Sequence, residues 1–214
     1  MKNSSIDTIA AISTSVGDSG IGIVRLSGKD ALDIAGKIFK SKDGKKPLEY
    51  KTHTIHYGWV INTSKGEKTG EIVDEALLTV MRAPRSFTKE DIVEINCHAG
   101  IVATRRVLEL CLENNARLAE PGEFTKRAFL NGRIDLAQAE AVLDVIRAKT
   151  DLALRIGAEQ LKGSLSAGLN RIRADLIETL TSLEANIDFP EEEISLVAGA
   201  SMKNKLIGAH KALK

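Results

Sequence analysis

Two charged side chains, Glu94 and Arg25, stand in apolar surroundings where they could do chemistry. In Ile92-Val93-Glu94-Ile95-Asn96-Cys97 the side chains alternate, so Glu94 faces the same way as Ile92 and Asn96 while Val93 and Ile95 face the other way. A charge in such a strand belongs either to an exposed sheet face or to a pocket where the carboxylate holds a ligand. Spacing leaves both readings open. In Gly20-Ile21-Gly22-Ile23-Val24-Arg25-Leu26-Ser27-Gly28 the same alternation puts Arg25 on the face of Ile21 and Ile23. His53 and His56 read as solvent-facing strand residues, because no carboxylate or cysteine nearby completes a metal-ligand set. His98 precedes Ala99-Gly100 at a helix start and reads as structural, for want of a serine, cysteine or metal partner nearby in the sequence. Gly20-Ile21-Gly22 opens a strand and lacks the third glycine of a dinucleotide loop, so that reading is set aside.

The elements that must position these groups follow from the hydrophobic period. Residues 7–13 and 20–28 are expected to be strands, and Ala31, Leu32, Ile34, Ala35, Ile38 and Phe39 recur with helical spacing. The lysine-rich residues 40–46 read as a loop. Strands are expected at 52–61 and 72–81, joined by a polar hairpin loop at 63–70, and at 92–97, followed by a helix over 101–112 and a short strand at 116–119. The period then changes. Pro121 suits the first position of a helix, Asn131-Gly132 suits its left-handed end, and Asp135 suits the cap of the next. Leu136, Ala139, Val142, Leu143 and Ile146 form one helical stripe. The apolar positions from Ala158 to Ile187 continue in steps of three and four, which predicts one helix over 151–187, about 55 Å long. Asp188-Phe189-Pro190-Glu191-Glu192-Glu193-Ile194 breaks that pattern before a last stripe from Met202 to Leu213. The fold expected is therefore an α+β domain with a mixed sheet over 1–120 and an all-α helical-bundle segment over 121–214.

Bulk properties narrow the function classes. The 214 residues are 43% hydrophobic and 28% charged, with a net charge of +1, so no global positive field argues for nucleic acid and any RNA contact must be local. Cys97 and Cys111 are too few for a disulfide framework, which makes a reduced, cytoplasmic setting the expectation. No apolar run approaches the roughly 18 residues of a membrane helix, and the N-terminus lacks a signal-peptide layout, so neither a membrane nor export is expected.

One long motif and three shorter ones carry a resemblance. Pro121-Gly122-Glu123-Phe124-Thr125-Lys126-Arg127-Ala128-Phe129-Leu130-Asn131-Gly132-Arg133-Ile134-Asp135-Leu136-Ala137-Gln138-Ala139-Glu140-Ala141, with Asp7-Thr8-Ile9-Ala10-Ala11, the Gly20 to Gly28 strand and the acidic run from Asp188, resembles the tRNA modification GTPase family MnmE/TrmE. The resemblance covers essentially the whole chain. It implies an N-terminal domain similar to the folate-binding part of the glycine-cleavage T-protein, then the first part of a helical domain into which a Ras-like GTPase domain is inserted. These 214 residues contain no Gly-x-x-x-x-Gly-Lys-Ser/Thr phosphate loop and no cysteine-containing C-terminal family motif, so this chain is expected not to turn over GTP and to hold no catalytic or metal-binding residue of its own. The sequence departs from the family pattern at Ala99, where a second glycine is usual.

The resemblance also implies a ligand. Arg25, Glu94 and Arg133 match the family's contacts to a one-carbon tetrahydrofolate, formyl or methylene, and Arg133 stands where many relatives have lysine. A pterin's amide–amidine edge suits a carboxylate, and a glutamate tail suits arginine forks. Homodimerisation through the N-terminal domain, a flavin-dependent partner of the MnmG/GidA type, tRNA as substrate, and GTP with magnesium and potassium in the intact protein are further implications. Two other classes stay open: a folate-dependent aminomethyltransferase, and a dimerisation module that binds a partner helix.

Overall fold

The computed structural model describes residues 7–15, 17, 19–63, 70–188 and 196–213. They form two compact units, Met1–Ile134 and Asp135–Lys214. The division falls after the helix that follows Pro121, whereas the sequence reading placed the boundary at 120/121.

The first unit is built on seven strands: β1 (Ile9–Ile12), β2 (Gly22–Ser27), β3 (Phe39–Ser41), β4 (Thr54–Ile61), β5 (Ile72–Met81), β6 (Ile92–Cys97) and β7 (Arg117–Leu118). Their order is β3-β4-β5-β6-β2-β1-β7, antiparallel throughout except for the β1–β7 pair. The mixed sheet is as expected. Strand β3 is not, since the lysine-rich pattern predicts a loop over 40–46: Phe39 and Ser41 are buried and pair with Val60 and Gly58, while Lys40 points out, so this lysine-bearing segment starts as an edge strand.

One face of this sheet carries Ala10, Val24, Leu26, Leu78, Val80, Val93 and Ile95, all buried. Helices α1 (Ala31–Ile38) and α2 (Ile101–Glu113) cover it with the stripe Leu32, Ile34, Ala35, Ile38 and the stripe Val107, Leu110, Cys111. Each large apolar side chain sealed there contributes about 1.5–3 kcal/mol. The other face bears Ile23, Arg25, Ser27, Ile92, Glu94, Asn96, Leu77, Thr79, Ile55, Tyr57 and Trp59, as the pairing register requires. Helix α3 (Glu123–Leu130) lies across the β1 end of that face. Its Arg127 reaches Asp7 O and Glu90, and Asn131 just beyond its end reaches Thr88 O. Pro121 lies outside α3, which starts one residue after the left-handed Gly122. The far end behaves as expected: Gly132 takes φ 66, and Gly132 N and Arg133 N close on Phe129 O and Ala128 O.

The described residues of the second unit form four helices: α4 (Leu136–Arg147), α5 (Asp151–Leu161), α6 (Ser164–Asp188) and α7 (Leu196–Ala212). Asp135 caps α4 as expected, accepting from Gln138 N at 2.9 Å while Gln138 Oε1 accepts from Asp135 N. The single helix expected over 151–187 is two. At Gly163 the backbone turns left-handed, φ 90, where glycine has no Cβ penalty, and Gln138 Nε2 takes up the Leu161 carbonyl released at the break. The apolar period runs through the corner undisturbed, which is why the pattern hid it. The acidic run beyond Asp188 lies outside the described residues, and no helix among those described is long and apolar enough to cross a membrane.

Candidate functional site

Strands β2 and β6 bring Arg25 and Glu94 opposite one another. Arg25 Nε and Nη2 lie 2.7 and 2.6 Å from the same oxygen, Glu94 Oε1, and the Glu94 side chain is 18% exposed. The second oxygen, Oε2, accepts no hydrogen bond among the described residues. The Arg25 guanidinium also sits 5.6 Å from the centre of the Phe124 ring, brought over the sheet by α3. The pair therefore stands where the covered half of the face, with Ile9, Ser27 and Ile92 buried, meets the open half, with Ile55, Tyr57 and Leu77 exposed. Glu94 is thus a half-buried carboxylate paired with Arg25 at the border between the covered and open parts of the face.

Further along that face is a depression of about 360 Å³, lined by Ile21, Tyr57, Glu75, Leu77, Asn96 and His98. Asn96 is two residues from Glu94 on the same side of β6, a backbone spacing of about 7 Å. Arg133 lies past the α3 corner. It is exposed, with its guanidinium 5.0 Å from the Phe87 ring centre. Phe87 belongs to the loop before β6, and two bonds tie that loop to the corner: Asn131 Nδ2 to Thr88 O at 2.6 Å and Lys89 Nζ to Gly132 O at 2.9 Å. The three residues singled out by the resemblance thus lie as a pair on β2 and β6 and a third group on the adjoining corner.

His53, His56 and His98 sit in different settings. His56 is half-buried and stacks on Tyr50, ring centres 3.3 Å apart, and burial lowers its pKa. His53 precedes β4, exposed, with φ 59. His98 has a partner after all: Asp74 accepts from His98 N at 2.8 Å and meets its Nδ1 at 2.7 Å, and that contact raises the imidazole pKa. Twenty-four residues separate the two, and only the β5–β6 ladder brings them together. Among the described residues no group of three potential ligands could hold a metal ion. Both cysteines are free and buried, with burial pushing Cys97 to about 11 and Cys111 to about 12, so neither is a thiolate near neutral pH.

Sequence reasoning missed a charged cluster under α3. Arg127, buried, meets Asp7, Glu90 and Glu123, and Arg117 meets Asp7 and Glu123. Burial pushes the Glu123 carboxyl up, but bonds from Arg117, the Glu120 N–H and Arg127 outweigh it and hold the group at about 2. The one signal available in the sequence was Glu123 and Arg127 at a four-residue spacing, a common surface pair.

Comparison with known proteins matches residues 8–133 to the GTP-binding protein TrmE N-terminus and residues 136–214 to the MnmE helical domain. The chain belongs to the MnmE/TrmE family. The tRNA modification GTPase MnmE of Bacillus velezensis is 51% identical over 210 residues, 98% of this chain and 45% of that protein. Those of Geobacillus thermodenitrificans and Lysinibacillus sphaericus are 57% and 58% identical over 185 residues, 86% of this chain and 39% of each. The chain thus spans less than half the length of these MnmE relatives. Ala99 is buried in ordinary backbone before α2.

Proposed function

We propose that this chain supplies the reduced-folate-binding and dimerising part of a tRNA modification GTPase of the MnmE kind, together with the first section of its helical domain. The observation that carries this reading is Glu94: a half-buried carboxylate with one oxygen held by Arg25 and the other accepting no hydrogen bond among the described residues. A pterin presents paired N–H donors that such a carboxylate can accept. Arg133, free of any ion pair among the described residues, suits a carboxylate of the glutamate tail. A one-carbon tetrahydrofolate, formyl or methylene, bound here would supply the carbon unit. Exposed Ile55, Tyr57 and Leu77 beside the site suit a second copy, whose docking would close a pocket shared between subunits.

In the intact protein, GTP hydrolysis with magnesium and potassium, a flavin-dependent partner of the MnmG/GidA type and the folate would together add an aminomethyl-type group, such as carboxymethylaminomethyl, at C5 of the tRNA wobble uridine in the cytoplasm. The test is calorimetric titration of the purified chain with 5-formyltetrahydrofolate. Glu94→Gln keeps the shape and removes the charge; a charge-assisted hydrogen bond is worth roughly 1.5–3 kcal/mol, so binding should weaken about tenfold or more. Equal affinity of the variant and the unmodified chain would remove Glu94 from the site.

A further inference from the structure

Arg127 is 4% exposed although it carries a full charge. A guanidinium leaves water at little penalty only when its planar fork is filled, and here it is filled from three separate segments. Nη1 donates to Asp7 O at 2.9 Å and lies 3.2 Å from both oxygens of Glu90; Nη2 donates to Asp7 Oδ1 at 2.6 Å and to Glu123 Oε1 at 3.1 Å. Asp7 precedes β1, Glu90 ends the loop before β6, and Glu123 opens α3. Arg117 closes the ring from β7, reaching Asp7 Oδ2 at 2.6 Å and Glu123 Oε1 at 2.5 Å.

The contacts run outward from this ring to both halves of the site. Glu90 Oε2 accepts from Ser27 Oγ at 2.7 Å, and Ser27 also meets Thr88 Oγ1 at 2.7 Å. Ser27 stands two residues from Arg25 on the same face of β2. In the other direction Asn131, one helical turn after Arg127, holds Thr88 O, and the next residues bring Arg133 onto Phe87 of the same loop. A buried ion network of this kind adds little net stability over apolar packing, but its fixed fork sets direction and distance. We propose that Arg127 is a positioning residue for ligand binding: through Glu90 and the α3 corner it fixes the separation between the Arg25–Glu94 pair and Arg133, so that both halves are preset for one ligand. This rests on the folate reading of that site.

Arg127→Lys keeps the charge but cannot fill three carboxylates with a flat fork, and Glu90→Gln keeps the Ser27 hydrogen bond while removing one ion pair. Two measurements test the proposal: binding of 5-formyltetrahydrofolate, and hydrogen exchange of the Gly132 and Arg133 amides, which close the corner. Arg127→Lys should weaken binding about tenfold and speed exchange at both amides, with Glu90→Gln giving a smaller change in the same direction. Because Arg127 acts through Arg133, Arg127→Lys combined with Arg133→Ala should bind no more weakly than Arg133→Ala alone, whereas a general loss of structure would add its own penalty. Binding by both Arg127→Lys and Glu90→Gln within twofold of the unmodified chain, additive losses in the double variant, or unchanged exchange would each overturn the proposal. Should the unmodified chain take up no folate, the folate reading fails, and the exchange result still decides whether Arg127 sets the corner.

Discussion

The two units bury their apolar residues to very different degrees. In the first, Val24, Leu26, Leu78, Val80, Val93 and Ile95 are completely buried under α1 and α2. In the second, the buried apolar side chains among the described residues are Ala141 and Ala209, while Leu169, Leu176, Leu180 and Leu183 along α6 stay exposed. Both stretches have regular hydrophobic periods, so periodicity measures the wish to be buried rather than the burial itself. A strand's apolar face finds cover within its own unit because the sheet brings distant segments together. A helical stripe needs a partner helix of matching length, and α6 has α7 along only part of it.

The largest effect that sharpens this contrast is expected at Leu78. Leu78→Ala empties a site between Ile95 and the covering helices, and its cost should be about 2–5 kcal/mol in denaturant unfolding of the first unit. A loss below about 1 kcal/mol would mean that the core is not sealed.

Acid should weaken the first unit through the α3 network. The folded-state pKa of Glu123, about 2, lies below its ordinary 4.5, so the stability it contributes is fully present above pH 4.5 and is lost as pH falls through about 2. Thermal unfolding between pH 4.5 and 2 should therefore steepen in the unmodified chain and flatten in Glu123→Gln. Parallel pH curves for the two would remove Glu123 from the acid transition.

In the second unit, Asp135→Ala removes the cap oxygen that holds Gln138 N and should cost α4 about 1 kcal/mol, read as loss of helical signal on heating. The smallest effect is expected at Leu180. In dilute solution Leu180→Ala should change stability by less than about 0.5 kcal/mol, since that side chain is already exposed. At higher concentration the exposed stripe should draw copies together, and light scattering should show association that Leu176→Gln with Leu180→Gln reduces. A strictly monomeric chain with a cooperatively melting second unit would break the comparison.

Local chemistry in the sequence determined much of this molecule. Alternation located the strands around Val24, Leu78 and Ile95, Asp135 marked its capping box, and Asn131-Gly132 marked the corner, because each depends on neighbours within a few residues. The motifs also carried the family and drew attention to Arg25, Glu94 and Arg133. Sequence spacing could not say that Arg25 and Glu94 are cross-strand partners, that His98 has Asp74, or that Lys40 lies on a paired edge strand. Nor could it say that Arg127 is buried among Asp7, Glu90 and Glu123, up to 120 residues apart. Those pairings depend on strand order and on where α3 crosses the sheet. Only the closure of long loops onto one sheet brings such groups within hydrogen-bonding distance, and that closure is decided by the packing of the whole unit.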